Sequence, residues 1–293
     1  MPDENKERRQ KMFDVAETLR SKESKQEKGF RVVITGKGGA GKTTLTALLS
    51  KLLAREGYNV LAVDEDPQVN LPYSLGFPPD REITPASRNL DYIEEKTGAR
   101  PGEGWGVMLT LNPDVTDVVE RFGLKTQDGI NLLVMGSVIQ AATGCLCPEN
   151  ALLEAVMSYI SLREGEVILM DTQAGVEHFG RALARGFKQA VIITEPTFNA
   201  YQVALNAAKL SRQLGIPYVH LAVNKIRHNN EIERFKKMAG ESLNQYNELF
   251  ILPFEDEILE TEPDVTPLLR GDSLYVRQVS QIAEVLKTYG EKE

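Results

Sequence analysis

The sequence predicts an α/β fold, a doubly wound and mostly parallel sheet flanked by helices, on three observations. From Phe30 onward, apolar runs of strand length alternate with segments of helical period, the pattern that crossover connections between parallel strands produce. Three of those runs end at Asp64, Asp171 and Asn224, and the carboxyl ends of strands are where such sheets present ligand-binding groups. The first run leads into a glycine-rich turn that opens directly into a helical pattern.

The elements follow in order. Residues 1–29 are dense in both charges and carry Met12, Val15, Ala16 and Leu19 at helical spacing. They read as a surface-docked or partly disordered extension with a short amphipathic helix. A domain over 30–293 then places strands at 31–35, 59–64, 130–135, 166–171, 190–194, 217–223 and 248–252. Helical patterns fall at 44–56, 149–161, 199–214, 230–240 and 274–288. Residues 77–128, with Pro, Gly, charge and Trp105, break the rhythm and predict an irregular excursion with short helices that carries partner contacts.

Residues 36–43 read Gly-Lys-Gly-Gly-Ala-Gly-Lys-Thr, between the run Arg31–Thr35 and a helical pattern from Thr44. Strand, glycine turn and helix start in that order form a phosphate cradle, the required context of G-x-x-x-x-G-K-[ST]. Gly36, Gly38, Gly39 and Gly41 are expected to take positive φ, so that backbone N–H groups converge on one anion. The candidate phosphate-binding set is Gly36, Lys37, Gly38, Gly39, Ala40, Gly41, Lys42, Thr43 and Thr44. Lys42 is placed to reach the outer phosphates, and the Thr43 hydroxyl to join a Mg²⁺ shell. Leu45, Leu48, Leu49, Leu52 and Leu53 supply the stripe that buries the helix. Lys37 is surplus to an ordinary loop of this kind.

Asp64-Glu-Asp66-Pro67 ends the second strand, beside the expected outer phosphate and its Mg²⁺. A carboxylate there can orient the attacking water or hold the ion through its hydration shell. Glu166–Asp171 is a second apolar run ending in Asp, the Walker B shape, followed by Gly175, a pivot for a phosphate-sensing loop, and His178. His178 reads as a polar surface residue, because phosphoryl transfer depends on position and charge rather than on an imidazole base. Asn224, with Lys225 after it, offers a donor and an acceptor to the edge of adenine.

At 293 residues and 42% apolar content the chain can bury a large core. A formal charge of −8 and a pI near 5.2 argue against nucleic acid as a partner. No apolar run reaches membrane-span length and no signal-peptide pattern occurs, so the expectation is a cytoplasmic protein without membrane contact. Only Cys145 and Cys147 are present, which rules out a disulfide framework. Pro148 follows Cys147 at the start of a helical pattern, where the positive helix end favours a thiolate. A closed Zn²⁺ site wants four ligands, and a symmetric dimer of Cys-Leu-Cys pairs would supply four sulfurs. On spacing alone the pair equally fits two small half-buried residues.

The loop with Lys37 resembles the deviant Walker A of the superfamily of nitrogenase iron protein, MinD/ParA and the arsenite-pump ATPase. Within it, Gly36–Thr43, Asp64–Pro67, Gly144–Asn150 and Asp171–His178, with 97–104 and 111–115, resemble the CooC-type ATPases that help load nickel into carbon monoxide dehydrogenase. The resemblance spans about residues 30–290, and residues 1–29 depart from it. It implies ATP hydrolysis within a nucleotide- and metal-dependent homodimer, and apo carbon monoxide dehydrogenase or a related nickel enzyme as client. It further implies that Lys37 acts on the partner subunit's nucleotide, with Lys42, Asp66 and Asp171 catalytic in their own subunit. Thr43, Asp64 and Asp171 would serve Mg²⁺. Asn224 and Lys225, with Pro253 and Phe254 closing over the ring, would hold the base of ATP or ADP, and Cys145 and Cys147 would bind Ni²⁺ or Zn²⁺ with their dimer mates. Two other functions fit the same superfamily: an iron–sulfur electron donor, and a positioning ATPase of the MinD/ParA kind. The mixed charge of Val276–Glu293 offers the latter no basic amphipathic tail.

Overall fold

The structure is a computed structural model that describes residues 29–100, 110, 113–136, 147–163, 165–173 and 186–292, without the side chains of 147–150, 161 and 162. The expected readings of residues 1–28, Trp105, Cys145, Gly175 and His178 lie outside the described residues.

The described strands are β1 (Arg31–Gly36), β2 (Val60–Asp64), β3 (Leu124–Lys125), β4 (Asn131–Val134), β5 (Val167–Asp171), β6 (Gln189–Thr194), β7 (Tyr218–Ile226) and β8 (Leu249–Pro253). They form one sheet in the order β3-β4-β2-β5-β1-β6-β7-β8. All neighbours pair parallel except the edge pair β3–β4. The seven expected strands are present within a few residues of their expected ends; the short antiparallel β3 was not foreseen.

The described helices are α1 (Lys42–Arg55), α2 (Leu71–Ser74), α3 (Leu90–Thr97), α4 (Val118–Phe122), α5 (Cys147–Leu162), α6 (Phe198–Gln213), α7 (Asn229–Ala239), α8 (Asp256–Thr261) and α9 (Leu274–Gly290). Helices α3 and α4 are the short helices expected within 77–128. Strand residues alternate between two cores, as a period of two requires. Val33 joins Leu61, Tyr92, Ile160 and Tyr201 on one face, while Val32 and Ile34 join Leu45, Leu49, Val279 and Leu286 on the other. Of the α1 stripe, Leu45, Leu48, Leu49 and Leu53 are buried and Leu52 is half-buried. Lys51 on the same helix is almost completely buried; its ammonium donates to Leu75 O at 3.2 Å and pairs with Asp128 at 2.6 Å, pinning the turn before β4.

His220 on β7 is fully buried among Phe250 and Tyr289, and neither ring nitrogen has a hydrogen-bond partner among the described residues. Burial, with Lys292 nearby, pushes its pKa down to about 4. Between pH 6.5 and 4 the unfolded chain therefore takes up a proton that the folded chain refuses. Folding stability falls as pH drops through that window, by about 3 kcal/mol at 1.36 kcal/mol per pH unit. His220→Phe should remove this component, and urea unfolding of both proteins at pH 7.5, 6, 5 and 4.5 checks it. Parallel curves for the two proteins would show that His220 is not the titrating group.

Candidate functional site

The strand order sets the site. The chain leaves β1, in the middle of the sheet, for β2 on one side, with β5 between them, and later returns to β6 on the other. That reversal opens a crevice at the carboxyl ends of the strands. The loop from Gly36 to Lys42 rises there, and α1 begins at Lys42 with no side-chain cap, so the helix's first N–H groups are left for a ligand.

Three of the four loop glycines meet the expectation: Gly36, Gly39 and Gly41 have φ of 149°, 76° and 104°. A Cβ on Gly36 would lie 2.1 Å from Ile193 O, and one on Gly41 would lie 2.6 Å from Asn224 Nδ2. Gly38 departs from it. Its φ is not positive and a Cβ there would meet open space, so the turn takes its shape from the other three. The two lysines have opposite surroundings. Lys42 is buried, with Nζ 3.5 Å from Lys37 O, whereas Lys37 itself is exposed.

The acidic wall lies on β2 and β5, whose last residues Asp64 and Asp171 stand side by side in register. The Thr43 hydroxyl donates to Asp171 Oδ2 at 2.5 Å. Asp171 Oδ1 is buried with no partner among the described residues. Such an orphaned oxygen, beside a hydroxyl and a second carboxyl, matches the all-oxygen donor set of a hard dication, so the residues fit Mg²⁺. Among the described residues, no group of three or more His, Cys, Asp or Glu could hold a metal ion by itself.

Asp64 does more than the sequence showed. Its Oδ1 accepts from Asp66 N at 3.0 Å, and its Oδ2 accepts from Asn70 N at 3.2 Å and Leu71 N at 3.0 Å, so it anchors the loop that carries Asp66. Asp66 is half-buried and lines the phosphate cavity. Sequence reasoning passed over Glu65, which is buried and accepts from Gln173 N at 3.0 Å, tying the chain after β5 to the chain after β2. The only available signal was its place between two acids at a strand end.

Asp64, Glu65 and Asp171 have their proton affinities raised. Burial is the leading cause for each. It lifts Asp171 to about 7 against the pull of Thr43 and Lys42, and Glu65 to about 8. Burial and then the neighbouring Asp171 raise Asp64 well above the carboxylate range. A bound dication is the partner that lets such a group ionise together.

A cavity of about 490 Å³ runs over the loop, with Asp66, Asn70 and Tyr73 on one side and Ile258, Thr261 and Asp264 on the other. A smaller one of about 140 Å³ lies between Asn224, Lys225, Pro253, Phe254 and Tyr275. The two share Gly39, Gly41, Thr44, Ile258 and Glu262, making one groove with a phosphate end and a more apolar end. Thus loop residues Gly38, Gly39 and Gly41 to Thr44, with Asp66, Asn224, Lys225, Pro253 and Phe254, line one groove, and Asp171 stands behind Thr43. The α8 wall was not anticipated, because six residues are too few for a helical period to show. Cys147 is the first residue of α5, as Pro148 led one to expect; Cys145 lies outside the described residues.

Comparisons with known proteins agree on the family. Residues 31–266 match the CobQ/CobB/MinD/ParA nucleotide binding domain. The chain is 33% identical over 269 residues to the carbon monoxide dehydrogenase accessory protein CooC of Rhodospirillum rubrum, covering 89% of this chain and 99% of that one. An uncharacterised ATP-binding protein of Methanocaldococcus jannaschii is 37% identical over 233 residues, 80% of this chain and 88% of its own. Among solved structures, a chain of the MinC:MinD cell division protein complex of Aquifex aeolicus aligns with a TM-score of 0.61 at 21% identity, over 90% of this chain and 97% of that chain. MinD of Pyrococcus horikoshii with Mg-ADP aligns at 0.59 and 20% identity, over 90% and 100%. At these identities the structural likeness bears on the fold alone.

Proposed function

Because the chain belongs to the CobQ/CobB/MinD/ParA nucleotide-binding family, as a relative of CooC, we propose that it is a cytoplasmic ATP-hydrolysing metallochaperone. It serves the nickel loading of carbon monoxide dehydrogenase or a related nickel enzyme. The observation that supports ATP hydrolysis most directly is the Thr43–Asp171 contact at the phosphate end of the groove, with Asp66 on the same wall. When bound, Mg²⁺ neutralises charge on the outer phosphates. Thr43 and Asp171 would hold it, with Asp64 beside Asp171, and Asp66 would orient the attacking water. Lys42 binds the outer phosphates of its own subunit. Lys37, exposed on the same loop, reaches the nucleotide of a second copy. Asn224 and Lys225 border the base, and Pro253 and Phe254 cover it.

ATP closes a homodimer in this reading, and closure sets the spacing of four thiolates, Cys145 and Cys147 from each copy. These carry Ni²⁺ or Zn²⁺ as cargo. Hydrolysis loosens the grip and releases the ion to the client. Soft thiolates suit such an ion, and Cys147 at the first turn of α5 sits where the helix favours the thiolate form. The test is metal analysis combined with light scattering, with no nucleotide, with ADP and with ATP. The expected result is one Ni²⁺ or Zn²⁺ per dimer. Cys145→Ala should halve the ligand set and abolish bound metal while leaving nucleotide affinity intact. Unchanged metal content in that variant would remove the cysteine pair from the proposal.

A further inference from the structure

We propose that Asn224 and Lys225 form a two-point clamp that holds the phosphate loop in its binding shape, with Lys225 as a positioning residue. The inference rests on the nucleotide reading of the groove and adds to it. A loop that turns its N–H groups inward toward an anion turns carbonyls outward, and those need donors of their own. Here two consecutive carbonyls are each taken by consecutive residues at the end of β7. Asn224 Nδ2 donates to Ala40 O at 2.8 Å, and Lys225 Nζ donates to Gly39 O at 2.7 Å.

Consecutive residues of an extended strand point to opposite faces, so one strand end cannot ordinarily supply both bonds. The chain resolves this at Lys225, the only described non-glycine residue with positive φ, at 63°. The pairing of β7 with β8 shifts register between Val223 and Ile226 at the same place. This left-handed backbone is unfavourable for a lysine, and strain of that kind persists where function requires the geometry. Other contacts fix the clamp. Asn224 Oδ1 accepts from Lys225 N at 2.8 Å, and Lys225 Nζ also pairs with Glu195 Oε1 at 2.7 Å, just past the end of β6. Gly41 has no Cβ to block the Asn224 amide. On the other side, Arg227 stacks over the Phe254 ring at 3.6 Å and Phe254 N donates to Ile226 O at 2.8 Å. The run 224–227 therefore touches the phosphate loop through its first two residues and the wall of the base end through its last two.

The test is equilibrium titration with ADP and ATP of the wild type, Lys225→Met, Lys225→Arg and Lys225→Gly, with thermal melting of each apo protein. Lys225→Met keeps the stem and loses the donors, and should weaken both nucleotides about tenfold, the range of a lost charged hydrogen bond. Lys225→Arg restores donors and should bind within about threefold of wild type. Lys225→Gly should bind as poorly as Lys225→Met, yet melt at a higher temperature because glycine accepts the backbone geometry. Wild-type affinity in Lys225→Met overturns the clamp alone, as does equal weakening in Lys225→Met and Lys225→Arg. A glycine variant that melts below the methionine variant overturns the strain argument. A wild type that binds neither nucleotide overturns the nucleotide reading beneath it, and the clamp with it.

Discussion

Lys37→Ala is expected to lower ATP turnover by roughly 10³–10⁵, the range in which a charged finger supplied from a partner acts on a phosphoryl group, while keeping most of the affinity for ADP. The reason lies in the contrast between the loop's two lysines. Lys42 is buried within its own loop, whereas Lys37 is exposed on the outer side of the same turn. An exposed ammonium there contributes little to holding nucleotide in its own subunit, since water screens it. Across a dimer interface, where water is excluded, the same charge is worth far more in the transition state. Single-turnover hydrolysis, ADP titration and ATP-dependent light scattering separate the three effects. A variant that hydrolyses ATP at the wild-type rate would end the trans-acting role. One that loses ADP binding in parallel with turnover would make Lys37 a residue of its own subunit's site.

Lys42→Ala should reduce nucleotide affinity by about 100-fold, the upper range for a hydrogen bond from a charged group, and take nucleotide-dependent turnover to background. Lys42 is buried, and its charge is one of the factors that hold down the proton affinity of Asp171. Its removal leaves Asp171 with less compensation, so the variant should also bind Mg²⁺ with ADP more weakly than ADP alone would suggest. Isothermal titration with and without Mg²⁺ measures both. Undiminished ATPase activity in this variant would refute the site as a whole.

The sequence made much of this legible. The seven long strands, the five long helices and the glycine loop rest on local signals: apolar period, turn residues and an ordered strand–loop–helix sequence. Such signals survive in one dimension because each is satisfied by neighbours within a dozen residues. The expectation for Gly38 failed on the same ground, since four glycines in a row of eight do not say which three need positive φ. Elements shorter than about two turns, such as α2 and α8, carry no readable period, and so the far wall of the groove was invisible.

By itself, then, the chain's sequence determined the layered α/β architecture, the phosphate loop and the acids that end β2 and β5, because period and spacing act locally. Only the tertiary structure decided who holds whom. Asn224 reaches Ala40 across 184 residues and Lys225 reaches Gly39 across 186. Glu65 meets the Gln173 backbone across 108. His220 has its pKa pushed down by burial against Phe250 of β8 and Tyr289 of α9. Those contacts depend on strand order and on a backbone turn at one lysine, and neither is encoded in any short stretch of chain.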